Sequence, residues 1–189
     1  MTHYVDISLH TDPDLARHVL MDELFGRLHR ALAGRSVGDI AVTFPGYSLH
    51  PPGFGSVLRL LGPAARLDGL LGNSAGGLRL PAGMAHVSEL APVPPNAAHR
   101  TLRRVQVASS AERLRRRQMR RHGIDYQEAV ARIPNGAESR LRLPFITLHS
   151  ASTGQRFPMF LSLGALEGEA RAGTFNAYGL SAEATVPWF

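Results

Sequence analysis

"HYVDISLHTDPDLARHVLMDELFGRLHRALAG", residues 3–34, changes its hydrophobic period once, and that change sets the fold class. Over residues 3–10 apolar and polar residues alternate. Val5, Ile7 and Leu9 therefore share one face and Tyr4, Asp6 and Ser8 the other, as in a strand with one buried side. Beyond it, Asp12 has the chemistry of a helix N-cap and Pro13 that of a first helical residue. Leu20, Leu24, Leu28 and Leu32 then recur at every fourth position until Gly34, so a helix is predicted here. His29 falls in its last turns.

The segments that follow extend this start into a recognisable order. "DIAVTF" (39–44) and "SVLRLLG" (56–62) read as strands, "PAARLDGLLG" (63–72) as a short helix and "MAHVSELAPV" (84–93) as a fourth strand. Strand, helix, strand, strand, helix, strand is a ferredoxin-like (RRM-like) plan. "PVPPN" (92–96) marks a boundary, giving expected domains of 1–94 and 95–189. The second begins with a strand, "LRRVQVA" (102–108), and an arginine-rich helix with a capping box at Ser109 and Glu112 and a stop at Gly123. Another helix is expected over Asp125–Arg132, ended by Ile133 and Pro134, and strands at "PFITLHS" (144–150), "FPMFLSL" (157–163) and "TFNAYG" (174–179). The expected class is α+β: a ferredoxin-like N-terminal domain, then a mainly β domain carrying an arginine-rich helix. "PGYSLHPPGFG" (45–55) and "LLGNSAGGLRLPAGM" (70–84) read as loops without an assigned motif.

Charge divides at the same boundary. Residues 1–95 carry seven arginines and eight acids, a net −1, whereas residues 96–189 carry fourteen arginines and seven acids, a net +7. The chain has no lysine and no cysteine, which removes disulfides, thiolate metal sites and thiol nucleophiles. Of its nine histidines the first three, His3, His10 and His18, lack metal-ligand spacing, and no HExxH occurs, so neither a metal nor a cofactor is expected. The amino terminus does not have the pattern of a signal peptide and there is no run of 18 apolar residues, so a soluble cytoplasmic protein without a membrane partner is expected.

Six arginines occupy the nine positions from Arg113 to Arg121. At about 100° per residue, Arg116, Arg120, Arg113, Arg117 and Arg121 fall within an arc of roughly 140°, while Arg115, Gln118 and His122 point away. Like charges at i,i+3 and i,i+4 repel by a few tenths of a kcal/mol per pair, and a merely solvated helix usually alternates its signs. A polyanion is the partner that such a face fits. Charge alone leaves DNA and RNA open: a helix enters a B-DNA major groove directly, and long arginine stems can enter an RNA groove near a hairpin end.

Taken together, "LFGRLHRAL" with His29, "RVQ" (104–106), "ERLRRRQMRRH" (112–122), "RIP" (132–134), "LPFITLHSASTGQRF" (143–157), "YGLS" (178–181) and the terminal "VPWF" resemble the CRISPR RNA-processing endoribonucleases of type I-F systems over the whole length. The resemblance implies metal-independent cutting of precursor CRISPR RNA at the 3′ base of the repeat stem-loop, with the product retained. It also implies assembly with the other subunits of the type I-F surveillance complex. By the same likeness Arg113, Arg116, Arg117, Arg120, Arg121 and His122 contact the hairpin, and Arg104 and Gln106 read purine edges at the bottom of the stem. Arginine is bidentate to guanine and glutamine to adenine, so those residue types suit that task.

RNA carries its own nucleophile, the 2′-hydroxyl, so cleavage needs geometry and proton transfer. A histidine with a pKa near 6.5 suits the latter. The resemblance gives that role to His29, places Ser150 at the 2′ oxygen and puts Tyr178 behind the imidazole. Ser152 and Thr153 would lie near the scissile phosphate, and Phe157 would stack under the closing base pair. His149, beside the serine, has no assigned role. Two other readings remain in view: a non-catalytic subunit that binds the RNA hairpin, and a DNA-binding regulator built on the two helices at 110–132.

Overall fold

The computed structural model describes residues 1–35, 38–72, 76–106, 111–134, 142–150 and 154–189, with side chains of the arginine-rich helix from Leu114 onward. The chain is a mixed α/β fold with the elements β1 (His3–Leu9), α1 (Arg17–Ala33), β2 (Ala41–Thr43), β3 (Ser48–Leu49), β4 (Pro52–Gly53), β5 (Val57–Gly62), α2 (Ala64–Leu71), β6 (Ala85–Val87) and β7 (Ala91–Pro92). These are followed by β8 (Ala98–Arg100), β9 (Leu102–Val105), α3 (Ala111–His122), α4 (Tyr126–Arg132), β10 (Phe145–His149), β11 (Arg156–Leu163) and β12 (Val186–Trp188). Residues 1–104 and 143–189 form one compact unit and residues 105–142 another. No described helix is long and apolar enough to cross a membrane.

The first unit is built on an antiparallel sheet of order β2-β5-β1-β6, with β7 also paired to β1. Alternation along β1 does what its sequence predicts: Val5, Ile7 and Leu9 are buried under α1, joined there by Met21, Leu24, Phe25, Leu28 and Leu32 and by Leu67 and Leu70 of α2. Its other face is covered by the carboxyl terminus. Arg59 of β5 forks onto both Asp6 oxygens at 2.7 and 2.9 Å, donates to the Phe189 carbonyl at 2.8 Å, and lies 4.0 Å from the Phe189 ring and 4.7 Å from Tyr4. Ala184 and Val186 pack with Leu61 in a second apolar cluster on that side. The terminal "VPWF" thus closes the sheet, with β12 paired to β8.

Three elements differ from the sequence reading, and one expected cap falls outside the described residues. The helix starts at Arg17, with Ala16 as its N-cap, because Asp12 spends its carboxylate on the N–H groups of Asp14 and Leu15 (2.8 and 3.0 Å) and closes a turn of its own. The expected fourth strand is split into β6 and β7. Between them Ser88 bonds Asp6 twice, its N–H donating to the carbonyl and its hydroxyl accepting from the amide, each at 2.9 Å, so the ladder is interrupted. The arginine segment's capping serine, Ser109, lies outside the described residues. Finally, residues 174–179 are no strand but end in a tight turn. Asn176 Oδ1 accepts from the N–H groups of Tyr178 and Leu180, and Gly179 sits at φ +70°. That asparagine-glycine pair is turn chemistry that outweighs the local β propensity.

A second sheet of the same unit has the order β10-β11-β9. Loop 45–55 is fastened to it by the Tyr47 hydroxyl, which donates to the Leu161 carbonyl at 3.1 Å. In the other unit, α3 and α4 pack on each other. Asp125 caps α4 by accepting from Glu128 N–H at 2.8 Å, and Gly123 (φ +63°) ends α3 as expected.

Candidate active site and nucleic-acid interface

His29 is half-buried near the end of α1. Its Nδ1 lies 2.9 Å from the carbonyl of Ala177. A carbonyl only accepts, so Nδ1 carries a proton and Nε2 is left as the nitrogen that can take one. The ring lies on Tyr178, with centroids 3.9 Å apart and planes 13° from parallel, and Tyr178 in turn lies nearly parallel to Phe25 at 6.4 Å. Phe25 and His29 are one helical turn apart, so one tyrosine packs along both rings.

The turn that presents Ala177 and Tyr178 is pinned to the sheet. Gly179 accepts from Val42 N–H at 2.9 Å, and a Cβ at Gly179 would come within 2.5 Å of Val42 Cγ2. Only glycine combines that approach with a positive φ. Phe25, Asn176, Ala177 and Gly179 are the positions that sequence reasoning missed. The asparagine-glycine spacing of "NAYG" was the available signal for the turn, whereas nothing in the sequence announces that a main-chain carbonyl of residue 177 fixes the imidazole.

Ser150 follows β10. Its N–H donates to the Gln155 carbonyl and its carbonyl accepts from Gly154 N–H, at 2.9 and 2.8 Å, so it sits at the mouth of the β10–β11 hairpin. Helix α1 packs along β10 in the same direction: Asp22 accepts from Thr147 N–H at 2.9 Å, and four residues later the Cβ position of Gly26 is 4.0 Å from Leu148 Cδ2. Burial raises the Asp22 carboxyl above its usual value, opposed by the Thr147 amide and hydroxyl and by His18 and Arg156. Ser152 and Thr153 lie outside the described residues.

Phe157 of β11 is half-buried opposite Leu148, and the exposed Arg104 of β9 holds its guanidinium 5.7 Å from the Phe157 ring centroid. The structure therefore brings together one residue expected to read a base and one expected to stack beneath a pair. His149 is exposed on β10 and Gln106 is exposed just after β9.

In the second unit, Arg116, Arg117, Arg120, Arg121 and His122 are all exposed on α3. The side chain of Arg113 lies outside the described set. Arg115, on the opposite side of the helical wheel, is 4% exposed and gives Nε and Nη2 to the Ile133 carbonyl at 2.9 and 2.7 Å. One arginine anchors the helix and the others present charge, which is the division the wheel predicts.

Comparison with known proteins places this arrangement. The family model of the CRISPR-associated protein Cas_Csy4 matches residues 4–189. The chain is 43% identical over 190 residues to the CRISPR-associated endonuclease Cas6/Csy4 of Pseudomonas aeruginosa (strain UCBPP-PA14), covering all of both sequences. It is 39% identical, again over the full length of both, to the CRISPR-associated endonuclease Cas6/Csy4 of Escherichia coli (strain UTI89 / UPEC). A match that runs through the His29 helix, the arginine face and the terminal strand alike makes this chain a member of the Cas_Csy4 family.

Proposed function

We propose that this chain is a cytoplasmic, sequence-specific endoribonuclease that binds the CRISPR repeat stem-loop and cuts precursor CRISPR RNA at the 3′ base of the hairpin. The observation that carries this reading is the His29 clamp: Nδ1 on the Ala177 carbonyl, the ring on Tyr178, and Nε2 left to exchange a proton. In the proposed reaction Nε2 takes the proton of the upstream ribose 2′-hydroxyl as the O2′–P bond forms. The P–O5′ bond breaks, the leaving O5′ takes a proton from water, and the products are a 2′,3′-cyclic phosphate and a 5′-hydroxyl. The carbonyl of Ala177 keeps the Nδ1–H in place while Nε2 carries the proton. Ser150 orients the 2′ oxygen, with Ser152 and Thr153 near the phosphate.

Binding is assigned to the rest of the surface. Arg113, Arg116, Arg117, Arg120, Arg121 and His122 grip the hairpin phosphates, Arg104 and Gln106 read the lowest pairs, and Phe157 stacks beneath them. Residues 1–94 supply the catalytic helix on a sheet whose order β2-β5-β1-β6 we read as ferredoxin-like, and residues 95–189 supply the arginine-rich grip, the Ser150 loop and the Ala177–Tyr178 clamp on His29. The enzyme keeps its hairpin product and carries it into the type I-F surveillance complex.

The test is incubation of the purified chain with repeat hairpin RNA in EDTA, with the product ends mapped. A cyclic phosphate and a 5′-hydroxyl are expected, and a 2′-deoxyribose on the 5′ side of the scissile phosphate should block cutting. Cleavage that needs an added divalent ion, or that proceeds on the deoxy substrate, overturns the reading.

A further inference from the structure

A second basic site lies at the carboxyl end of α1, on residues that no assigned role uses. Where α1 ends, Arg27, Arg30, Arg35 and Arg79 surround a cavity of about 510 Å³, with Gly76 and Gly77 completing its wall. Arg79, Gly76 and Gly77 belong to loop 70–84, for which the sequence offered no motif.

Two of the four arginines build the frame. Arg35 donates to the carbonyls of Gly69 and Gly76 at 2.7 and 3.4 Å, and Arg27 meets Glu23 at 2.7 Å and the Arg79 carbonyl at 3.5 Å. The other two, Arg30 and Arg79, are exposed, and among the described residues no carboxylate pairs with either or with Arg35. One glutamate therefore offsets four guanidinium groups around one opening, an arrangement that favours a bound anion.

The cavity's chemistry and place narrow that anion. Among the described residues that line it there is no aromatic ring, so nothing stacks a base, and the glycines leave backbone where side chains would obstruct a phosphate. Arg30 directly follows His29, and its Nη1 folds back to 3.7 Å from the Cβ position of Gly26, the point that also meets Leu148 of β10. Gly26 and His29 lie about 60° apart on the helical wheel, so Arg30 carries its guanidinium from the rim of this opening toward the side of α1 that bears His29.

We infer that the Arg30–Arg79 cavity binds backbone phosphates of the single-stranded RNA on the 3′ side of the scissile phosphate, a sequence-independent subsite that holds the flank of the repeat while the hairpin is cut. The inference rests on the proposed placement of the scissile bond at His29, and it adds a second grip separate from α3.

The experiment compares two RNAs: a hairpin ending at the cleavage site, and the same hairpin extended by four nucleotides at its 3′ end with a 2′-deoxyribose at the junction so that it stays uncut. Binding is measured against salt for the natural chain and for the double substitution Arg30→Ala, Arg79→Ala. The extension is expected to tighten binding by the natural chain several-fold and to steepen the log–log salt slope by about 1.4, the value for two single-strand phosphates. The double variant should lose both gains and bind the unextended hairpin as the natural chain does, which also shows that it is folded. An extension without effect on the natural chain, a gain that survives in the variant, or a gain given only by a 5′ extension overturns the inference. If neither protein binds the unextended hairpin, the proposed function itself fails and the subsite falls with it.

Discussion

His29 is held by a carbonyl, a tyrosine ring and the buried side of its helix, whereas Arg117, Arg120 and Arg121 project exposed from a helix anchored on its other side by Arg115. The two regions need different things from the fold. Proton transfer has to occur within hydrogen-bond reach of one oxygen, so the imidazole must be fixed in tautomer and in plane. Phosphate attraction is long-ranged and forgiving in geometry, so number of charges counts for more than the placement of each. The core accordingly runs right up to the imidazole, and α3 spends one buried guanidinium to free the rest.

The largest expected effects test that division from both sides. His29→Ala should lower single-turnover cleavage by about 10²- to 10⁴-fold and leave hairpin affinity nearly unchanged, since only the proton acceptor is removed. Arg120→Gln together with Arg121→Gln should weaken hairpin binding and flatten its log–log salt slope by roughly one to two units, with bound RNA cut at the natural rate. Filter binding over a salt series and single-turnover kinetics at saturating protein measure both. If the two variants lose the same quantity, the regions are not separate and the contrast is broken.

A smaller effect is expected where the sheet enforces the clamp. Gly179→Ala puts a methyl group within 2.5 Å of Val42 Cγ2 at φ +70°, and the turn must shift to accept it. A cost of about 1–3 kcal/mol follows from the backbone strain and crowding, equivalent to a fall in melting temperature of a few degrees in a chain of this size. The shift carries Ala177 and Tyr178 with it, so cleavage should drop further than lost stability explains, while binding through α3 is unaffected. A destabilised variant that still cuts at the natural rate would show that the imidazole is positioned by something other than this turn.

How much of this could be read beforehand follows the same line. The β1–α1 start was legible because period two and period four each bury a contiguous face, and the α3 wheel was legible down to Arg115 pointing away from the basic arc. Local pattern is enough when the partner is a whole face. It failed at residues 174–179, read as a strand, because the backbone there answers to Asn176 and to Val42, which is 137 positions before Gly179 in the chain. It also could not reveal that the terminal "VPWF" covers the back of the sheet through Arg59, or that Phe25 extends the stack on Tyr178. Each of these joins distant segments through a single hydrogen bond or ring, and such pairings leave no period behind. The expected residues Ser152, Thr153 and Arg113 fall outside the described structure, so their roles remain part of the proposal.

The smallest effect sharpens the contrast most. Asp22 ties α1 to β10 by accepting from Thr147 N–H, and burial raises its carboxyl above the usual 3.8. A carboxyl raised in the folded state binds its proton more tightly there than in the unfolded chain, so its ionisation opposes folding. Stability from this group is greatest below pH 3.8 and is lost as pH climbs through the raised value, leaving the full penalty at neutrality. Asp22→Asn keeps an oxygen for the Thr147 N–H and removes the charge. The variant should then match or slightly exceed the natural chain at pH 7, by less than about 1 kcal/mol because the group is still partly hydrated, and the difference should shrink as pH falls toward 4. Urea unfolding at several pH values measures this, alongside an unchanged cleavage rate. Removing one charge would thus be harmless at the α1–β10 seam and costly on α3, because at the seam the carboxylate serves as a hydrogen-bond acceptor and on the helix the charge is itself the contact. Loss of cleavage in the Asp22→Asn variant, with its fold kept, would instead make the carboxylate's charge part of the His29 site.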